Sequence, residues 1–433
     1  MSTDSIAAFI LIGSFLLLLM LRIPVAFSLI LASIAAALFL DIRLTILIQG
    51  MFKSMDSFAL LAVPFFIIAG ELMGKGGISK RLVRFSKVMV GDLRGGLAYV
   101  NCITSTIFGG ISGSAVADIS SLGTILIPMM KEEGYDDDFS VGITLSTAVQ
   151  SIMIPPSHNM VIYAMVAGGI SVGKLFLGGL IPGLLLGGCL FIYSVYVSYR
   201  RRYPAGIKVS FKESISIIMD SLWGLGTVAI ILISVCTGIC TVTESAALAV
   251  LYSFIVTFFI YREVPLTQIL PIFRDGFKTV ANVMFLIASS GAFGWLLAYI
   301  RIPQLAAGSI LSFSTDRLTV MIMLNIIMLI LGMICDMGPV ILIATPVLLP
   351  IAQAVGIDAV HFGIIMMLNL GIGLTTPPVG AALFAVSSIG HVSMGRAVRA
   401  TLPMYAVMLL VLIIVNAFPD VVMLLPNVLY SGA

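Results

Sequence analysis

The residues able to do chemistry gather in four short stretches, each set inside apolar sequence. Pro155-Pro156-Ser157-His158-Asn159 offers a hydroxyl, an imidazole and an amide behind a proline pair, and Thr375-Thr376-Pro377-Pro378-Val379-Gly380 is its echo. The other two are Gly109-Gly110-Ile111-Ser112-Gly113-Ser114 and Asp336-Met337-Gly338-Pro339. A Pro-Pro pair breaks a helix, because each ring removes a backbone donor and collides with the preceding turn. In lipid the freed amides and carbonyls cost several kcal/mol each unless they are buried in protein or line a wet cavity. Two such breaks mark a polar site inside a membrane, and the chemistry it suits is non-covalent. Amides at half-helix N-termini around Ser112, Ser114 and Ser157 to Asn159 favour an anion. Asp336 reads both as a helix cap, with Pro339 in the first turn, and as a functional carboxylate, since a charge near the bilayer centre costs at least ~2.5 kcal/mol. Thr375 and Thr376 add hydroxyls and carbonyls, hard oxygens that suit sodium and not a transition metal. Capping and close packing of small residues is the alternative for any single serine. Asp118 reads as a binding or bracing carboxylate of the first tip, and Glu244 as interfacial. His158 adjoins no carboxylate in sequence and reads as a hydrogen-bonding group, not a proton carrier.

These stretches need membrane-spanning helices to hold them. The 433 residues are 60% hydrophobic and 10% charged, with mean hydropathy +1.16, whereas soluble domains carry about 25% charge. The net charge is +3 and no basic run is interleaved with aromatics, so a nucleic-acid partner is excluded and the partner surface is the lipid bilayer. All five cysteines, at 102, 189, 236, 240 and 335, fall in apolar segments and read as packing residues. The start, Met1-Ser2-Thr3-Asp4-Ser5, lacks the basic region of a signal peptide, so the first apolar segment is expected to stay. A crossing needs roughly 20 residues. Spans are expected near 5–21, 24–41, 57–74, 139–169, 175–199, 222–239, 243–261, 279–300, 361–390 and 401–418, the fourth and ninth broken at their proline pairs. Stretches 97–130 and 320–354 are interrupted at Gly109–Ser114 and Cys335–Pro339 and read as re-entrant hairpins with tips near the midplane. Residues 78–90 alternate basic and apolar as a helix lying in the interface does. The nearly uncharged run 302–313 is their counterpart. With 75–94 on the cytoplasmic side, only Arg43, Lys53, Lys174, Arg301 and Arg317 of the 23 basic residues fall outside, and both termini are extracytoplasmic.

The chain repeats itself at an offset of 222 residues, which carries Pro155 to Pro377, Pro128 to Pro350, Gly110 to Gly332, Asp136 to Asp358, Gly168 to Gly390 and Ser171 to Ser393. Each half holds five crossings and one hairpin, an odd number of crossings, so the halves are inverted. Inverted repeats with broken helices at the midplane are a secondary-transporter architecture. The expected division is scaffold spans and interfacial helix in 1–94, a first transport half in 95–199, a cytoplasmic linker in 200–221, second scaffold spans in 222–317, a second transport half in 318–418 and a tail in 419–433. The fold class is thus an all-α polytopic membrane protein of two inverted repeats, with about ten spans and two re-entrant hairpins. Sodium at the two breaks is expected to close the tips and create a carboxylate site between them.

The run Gly109 to Asp118, then Ile127-Pro128, Ile154-Pro155-Pro156-Ser157 and Gly373-Leu374-Thr375-Thr376-Pro377-Pro378-Val379-Gly380 resembles the large membrane subunit of tripartite ATP-independent periplasmic (TRAP) transporters, over essentially the whole chain. The resemblance implies a sodium-driven elevator, in which hairpins and broken helices slide against a scaffold. It also implies a periplasmic substrate-binding protein and a small four-helix membrane subunit as partners, a bacterial inner-membrane location, and no enzymatic activity. By position, sodium would be held by Ser112, Gly113, Ser114, Pro155 and Ser157, and by Asp336, Gly338, Thr375, Thr376 and Gly380. Substrate would meet Ser112, Ser114, Ser157, His158, Asn159 and Asp336. Many family members carry two apolar residues where this chain has His158-Asn159. That variant is similar to the sialic-acid branch, and the added donors suit a polyhydroxylated organic acid better than a C4-dicarboxylate; a C4-dicarboxylate or another sugar acid is the alternative cargo.

Two other classes compete. Gly110-Ile111-Ser112-Gly113 matches the GxSG of rhomboid-type intramembrane proteases, with His158 as base. Such an enzyme has no use for a second half in which Ser112 aligns with Ile334. A Na⁺/H⁺ exchanger of the same repeat type asks for paired midplane carboxylates, for which Asp336 and Asp118 alone qualify.

Overall fold

The computed structural model describes residues 3–206 and 208–430, the side chains of Thr3, Asp4 and Cys236 excepted. The reading of Met1 and Ser2, and that of Cys236 as a packing residue, lie outside the described set. The regular elements described are all helical. The first half runs α1 (Thr3–Met20), α2 (Val25–Phe39), α3 (Leu44–Met55), α4 (Ala62–Lys75), α5 (Ile78–Val90), α6 (Gly96–Ser112), α7 (Ala115–Asp118), α8 (Thr124–Glu132), α9 (Asp137–Met153), α10 (His158–Val166) and α11 (Val172–Arg200). The second runs α12 (Phe211–Cys236), α13 (Val242–Ile255), α14 (Ile269–Tyr299), α15 (Ile302–Phe313), α16 (Arg317–Ile334), α17 (Met337–Ala354), α18 (Ala359–Leu374), α19 (Ala381–Gly390), α20 (Met394–Ala417) and α21 (Asp420–Tyr430). Among the described residues eight helices are long and apolar enough to cross a bilayer, including both arms of the second hairpin, α16 and α17; Ser5–Met20 and Val25–Phe39 are apolar but shorter.

The internal repeat is visible in the backbone. The second arm of the first hairpin, α7 to α8 joined by a π-helical turn at Ile119–Gly123, covers 115–132, and α17 lies 222 positions on. Asp136 and Asp358 each occupy the N-cap of the following helix, as do Ser171 and Ser393. Both Pro-Pro bonds are cis.

Three helical segments were not expected. The stretch 42–56 between the second and third spans carries α3, whose Leu47 is buried while Ile48 and Phe52 are exposed. Twelve residues make about 18 Å, too little to cross, so hydropathy alone does not reveal it. The same offset pairs α3 with 266–277, where the second half has a 3-10 turn at Leu266–Gln268 and the opening turns of the 31-residue α14. The linker 200–221 is helical from Phe211, because Ser210 caps α12 by accepting from the Glu213 amide at 3.3 Å. The tail 419–433 holds α21, packed on α11 with Val422 and Pro426 buried.

Packing ties the halves together. One apolar core runs through α9, α10, α16, α17, α18 and α20 and so joins both hairpins and both broken helices. A separate core joins α1 to α3 with the end of α14, through Leu11, Leu29, Ala36, Phe293 and Leu296. Helices α9 and α18, which precede the two breaks, are buried on every side from Phe139 and Val360 onward.

Candidate functional site

At the first tip the chain reverses through Gly113, at φ +57°, and Ser114, the N-cap of α7, accepts from the Ala117 amide at 3.4 Å. This tip seats on the first break. A β-carbon on Gly113 would stand 2.6 Å from the Pro156 carbonyl oxygen and 2.7 Å from Ser157 Cα, so glycine is required by space as well as by φ. Gly109 is held as tightly, with Ser151 Cα at 2.7 Å. Ser157 occupies the N-cap of α10 but does not cap it. Its Oγ is fully buried and has no hydrogen-bond partner.

At the second tip Asp336 caps α17, accepting from the Met337 amide at 2.8 Å. The capping role foreseen for it is therefore present, and one oxygen remains free for a ligand. The second break is tied to α16 by the Val379 amide, which donates to the Met333 carbonyl at 3.1 Å, and by the close seating of Gly332 on Gly373. Thr375 and Thr376 both donate their hydroxyls to the Ile372 carbonyl, at 2.7 and 2.8 Å, and Tyr405 donates to the Thr375 carbonyl. Gly380 opens α19 at φ +54°. The two breaks are not equivalent in burial. Pro155, Pro156 and Ser157 are enclosed, whereas Pro378 and Val379 are exposed.

The halves meet across the site. Asn159 Nδ2 lies 3.5 Å from Met337 Sδ, and Tyr163 donates to the Ala359 carbonyl at 2.6 Å, so α10 of one repeat packs on α17 and α18 of the other. His158 rests against the Ser112 main chain and within electrostatic reach of Asp336. No carboxylate adjoins His158 in sequence; the one near it comes from the opposite repeat, where sequence proximity gives no signal.

A cavity of about 1100 Å³ reaches both tips. Ser112, Ser114, His158, Asn159, Asp336 and Gly338 line it, and Glu71, Lys75, Lys80 and Glu263 stand at its charged end. Gly113, Pro155, Ser157, Thr375, Thr376 and Gly380 do not line it. The expected site residues thus form an inner surface and an outer layer of oxygens behind it. The orphan Ser157 Oγ is what a hard cation would satisfy, so the first tip and break fit sodium, and the free lone pairs of Thr375 and Thr376 are of the same kind.

Asp118 is fully buried, with Oδ2 accepting from Ser105 at 3.0 Å and Oδ1 unpartnered. It braces the hairpin arms beneath the tip and does not line the cavity. Glu244 is exposed and forms a capping box with Thr241. The charged residues of the cavity end carry no sequence signal as site residues, because they lie at the edges of spans, where charge is ordinary. Lys80 alone is an exception, in the basic face of 78–90.

Two inverted sets of helices, each offering a hairpin tip and a broken helix to one cavity, define the architecture of a polytopic membrane permease. A family model described as the DctM component of the tripartite ATP-independent periplasmic transporter matches residues 12–421, and the chain belongs to that family. It is 36% identical over 411 residues to the sialic acid TRAP transporter large permease of Vibrio cholerae, covering 95% of this chain and 96% of the other. It is 38% identical over 377 residues to the C4-dicarboxylate TRAP transporter large permease of Pseudomonas aeruginosa, covering 87% and 88%. The fold is similar to that of the YdaH transporter of Alcanivorax borkumensis, with a TM-score of 0.59, 11% identity and 86% and 88% of the two chains covered. The relatives are permeases, which removes the rhomboid reading. In keeping with that, the Ser112 hydroxyl accepts from the Ser114 amide at 3.4 Å, and His158 faces the Ser112 main chain.

Proposed function

We propose that this chain is the sodium-coupled permease subunit that imports a polyhydroxylated organic acid, of the sialic-acid kind, across the bacterial inner membrane. One observation carries the reading: the buried, unpartnered Ser157 hydroxyl stands behind a cavity wall that presents His158, Asn159 and the N-terminus of α10. Sodium held by Ser112, Gly113, Ser114, Pro155 and Ser157, and by Asp336, Gly338, Thr375, Thr376 and Gly380, would draw tips and breaks together. Cargo carboxylate would then meet helix N-termini, and cargo hydroxyls His158, Asn159 and Asp336. With both termini periplasmic, the charged cavity end at Lys75 and Lys80 would face the cytoplasm. The hairpins and broken helices, which share their apolar core with α4 and α13 of the scaffold, are the body that would move as an elevator. A C4-dicarboxylate, as in the name of the Pseudomonas aeruginosa relative, is the second reading.

Family membership implies a periplasmic binding protein to deliver the cargo and a small membrane subunit beside this one. Uptake into proteoliposomes holding both membrane subunits, with binding protein supplied outside, tests the proposal. An inward sodium gradient is expected to drive sialic acid uptake, and uptake unchanged when Na⁺ is replaced by K⁺ would refute coupling.

A further inference from the structure

A second pocket, of about 270 Å³, lies where α5 crosses the start of α12, between Arg81, Arg84, Ser216, Ile217, Asp220 and Ser221. Arg81 is already satisfied. Its Nε donates to Asp220 at 2.8 Å, its other arm meets Glu263 at 2.6 Å, its guanidinium covers the Tyr261 ring at 3.7 Å, and it is only 12% exposed. Asp220 shares that one cation with Glu263 and remains 45% exposed. Arg84 is exposed and has neither ion pair nor hydrogen bond among the described residues. The pocket therefore sets a free cation beside a carboxylate that holds only part of one. A simple anion would meet Asp220 as a repulsive neighbour, whereas a zwitterion answers both groups.

The depth of the pocket selects the source of such a ligand. The 26 residues of α12 span about 39 Å, more than the ~30 Å of hydrocarbon, so its opening turns project beyond the lipid core. Ser216 to Ser221 fall at that boundary. Trp223, 47% exposed, marks the same level, and Tyr252, which donates to the Trp223 carbonyl, and Tyr261 stand beside it as an interfacial aromatic group. Ile215, Ile218, Met219 and Leu222 are exposed along α12 next to the pocket, an apolar strip on which acyl chains can lie. We infer that this pocket binds the headgroup of a phospholipid bearing a primary ammonium, with the phosphate on Arg84 and Ser216 and the ammonium on Asp220.

Native mass spectrometry of the full chain in detergent doped with phosphatidylethanolamine, phosphatidylcholine or phosphatidylglycerol tests this. Ethanolamine lipid is expected to bind about tenfold more tightly than choline lipid, whose methyl groups remove the N–H donors, and than glycerol lipid, which has no cation. Arg84→Gln, which breaks no contact, should weaken ethanolamine-lipid binding about tenfold. Lys80→Gln, on the same helix but facing the larger cavity, should leave it unchanged. Equal binding of the three lipids, an Arg84→Gln protein that binds as the parent does, an equal loss in Lys80→Gln, or displacement of the lipid by inorganic phosphate would each overturn the inference.

Discussion

Replacing Gly113 by alanine tests whether the seating of the first tip on the first break makes the sodium site. Two effects act at once. At φ +57° an L-residue costs about 1–2 kcal/mol, and the new methyl would stand 2.6 Å from the Pro156 carbonyl oxygen, where ordinary contact begins at 3.4 Å. Both near atoms belong to the main chain, so no side chain can swing aside, and tip and break must part by about 0.8 Å. Gly356→Ala isolates the first effect. Gly356 has φ +78° and nothing within 4 Å of its would-be methyl, so it bears the strain without the clash. The assay is sodium-dependent thermal stabilisation of the purified chain. At a hundredfold excess over its dissociation constant an ion contributes ~2.7 kcal/mol, and moving its oxygens apart by much of an ångström should weaken binding at least tenfold, removing about half of that. The expected result is that both variants lose stability without sodium, Gly113→Ala the more because of its clash, while only Gly113→Ala needs about tenfold more sodium to reach half of its own sodium stabilisation. If the two variants share one sodium dependence, the tip-to-break contact does not shape the site and the reasoning fails.

Three other outcomes are expected. Asp336→Asn should keep the cap on α17 and the melting temperature yet lose most uptake, whereas Asp336→Ala should lose about 1 kcal/mol of stability as well; normal uptake by the Asn variant would confine the carboxylate to capping. Incubation with a reactive fluorophosphonate should leave Ser112 unlabelled, as mass spectrometry of the tip peptide would report. Between α8 and α9, hydrogen bonds from Tyr203 and then Arg201 hold the Asp136 carboxyl below its usual range. Its contribution to stability is therefore present above the unfolded value of about 4 and lost as pH falls through the lower folded value, so Tyr203→Phe should move the acid end of the melting profile to higher pH, and an unchanged profile would refute that role.

The sequence by itself determined the class, because lipid leaves a chain few options. Prolines at 155, 156, 377 and 378 cannot continue a helix, and unsatisfied backbone in hydrocarbon is too costly to be anything but a site, so both breaks and both hairpin tips were legible from local chemistry and the 222-residue repeat. Amphipathic α5 was legible for the same reason, its basic and apolar residues leaving it one orientation. Helix α3 was not, since twelve residues that bury one leucine against α14 carry no span signal. Only the tertiary structure decided what stands next to what. It brought Asp336 to His158 across the repeats, put the hydroxyl of Ser157 behind the wall and that of Ser114 on it, and paired Arg81 while leaving Arg84 free. Sequence pattern fixes which face of a helix is polar, but which partner that face meets depends on how two inverted halves dock, and that is set by packing between residues more than a hundred positions apart.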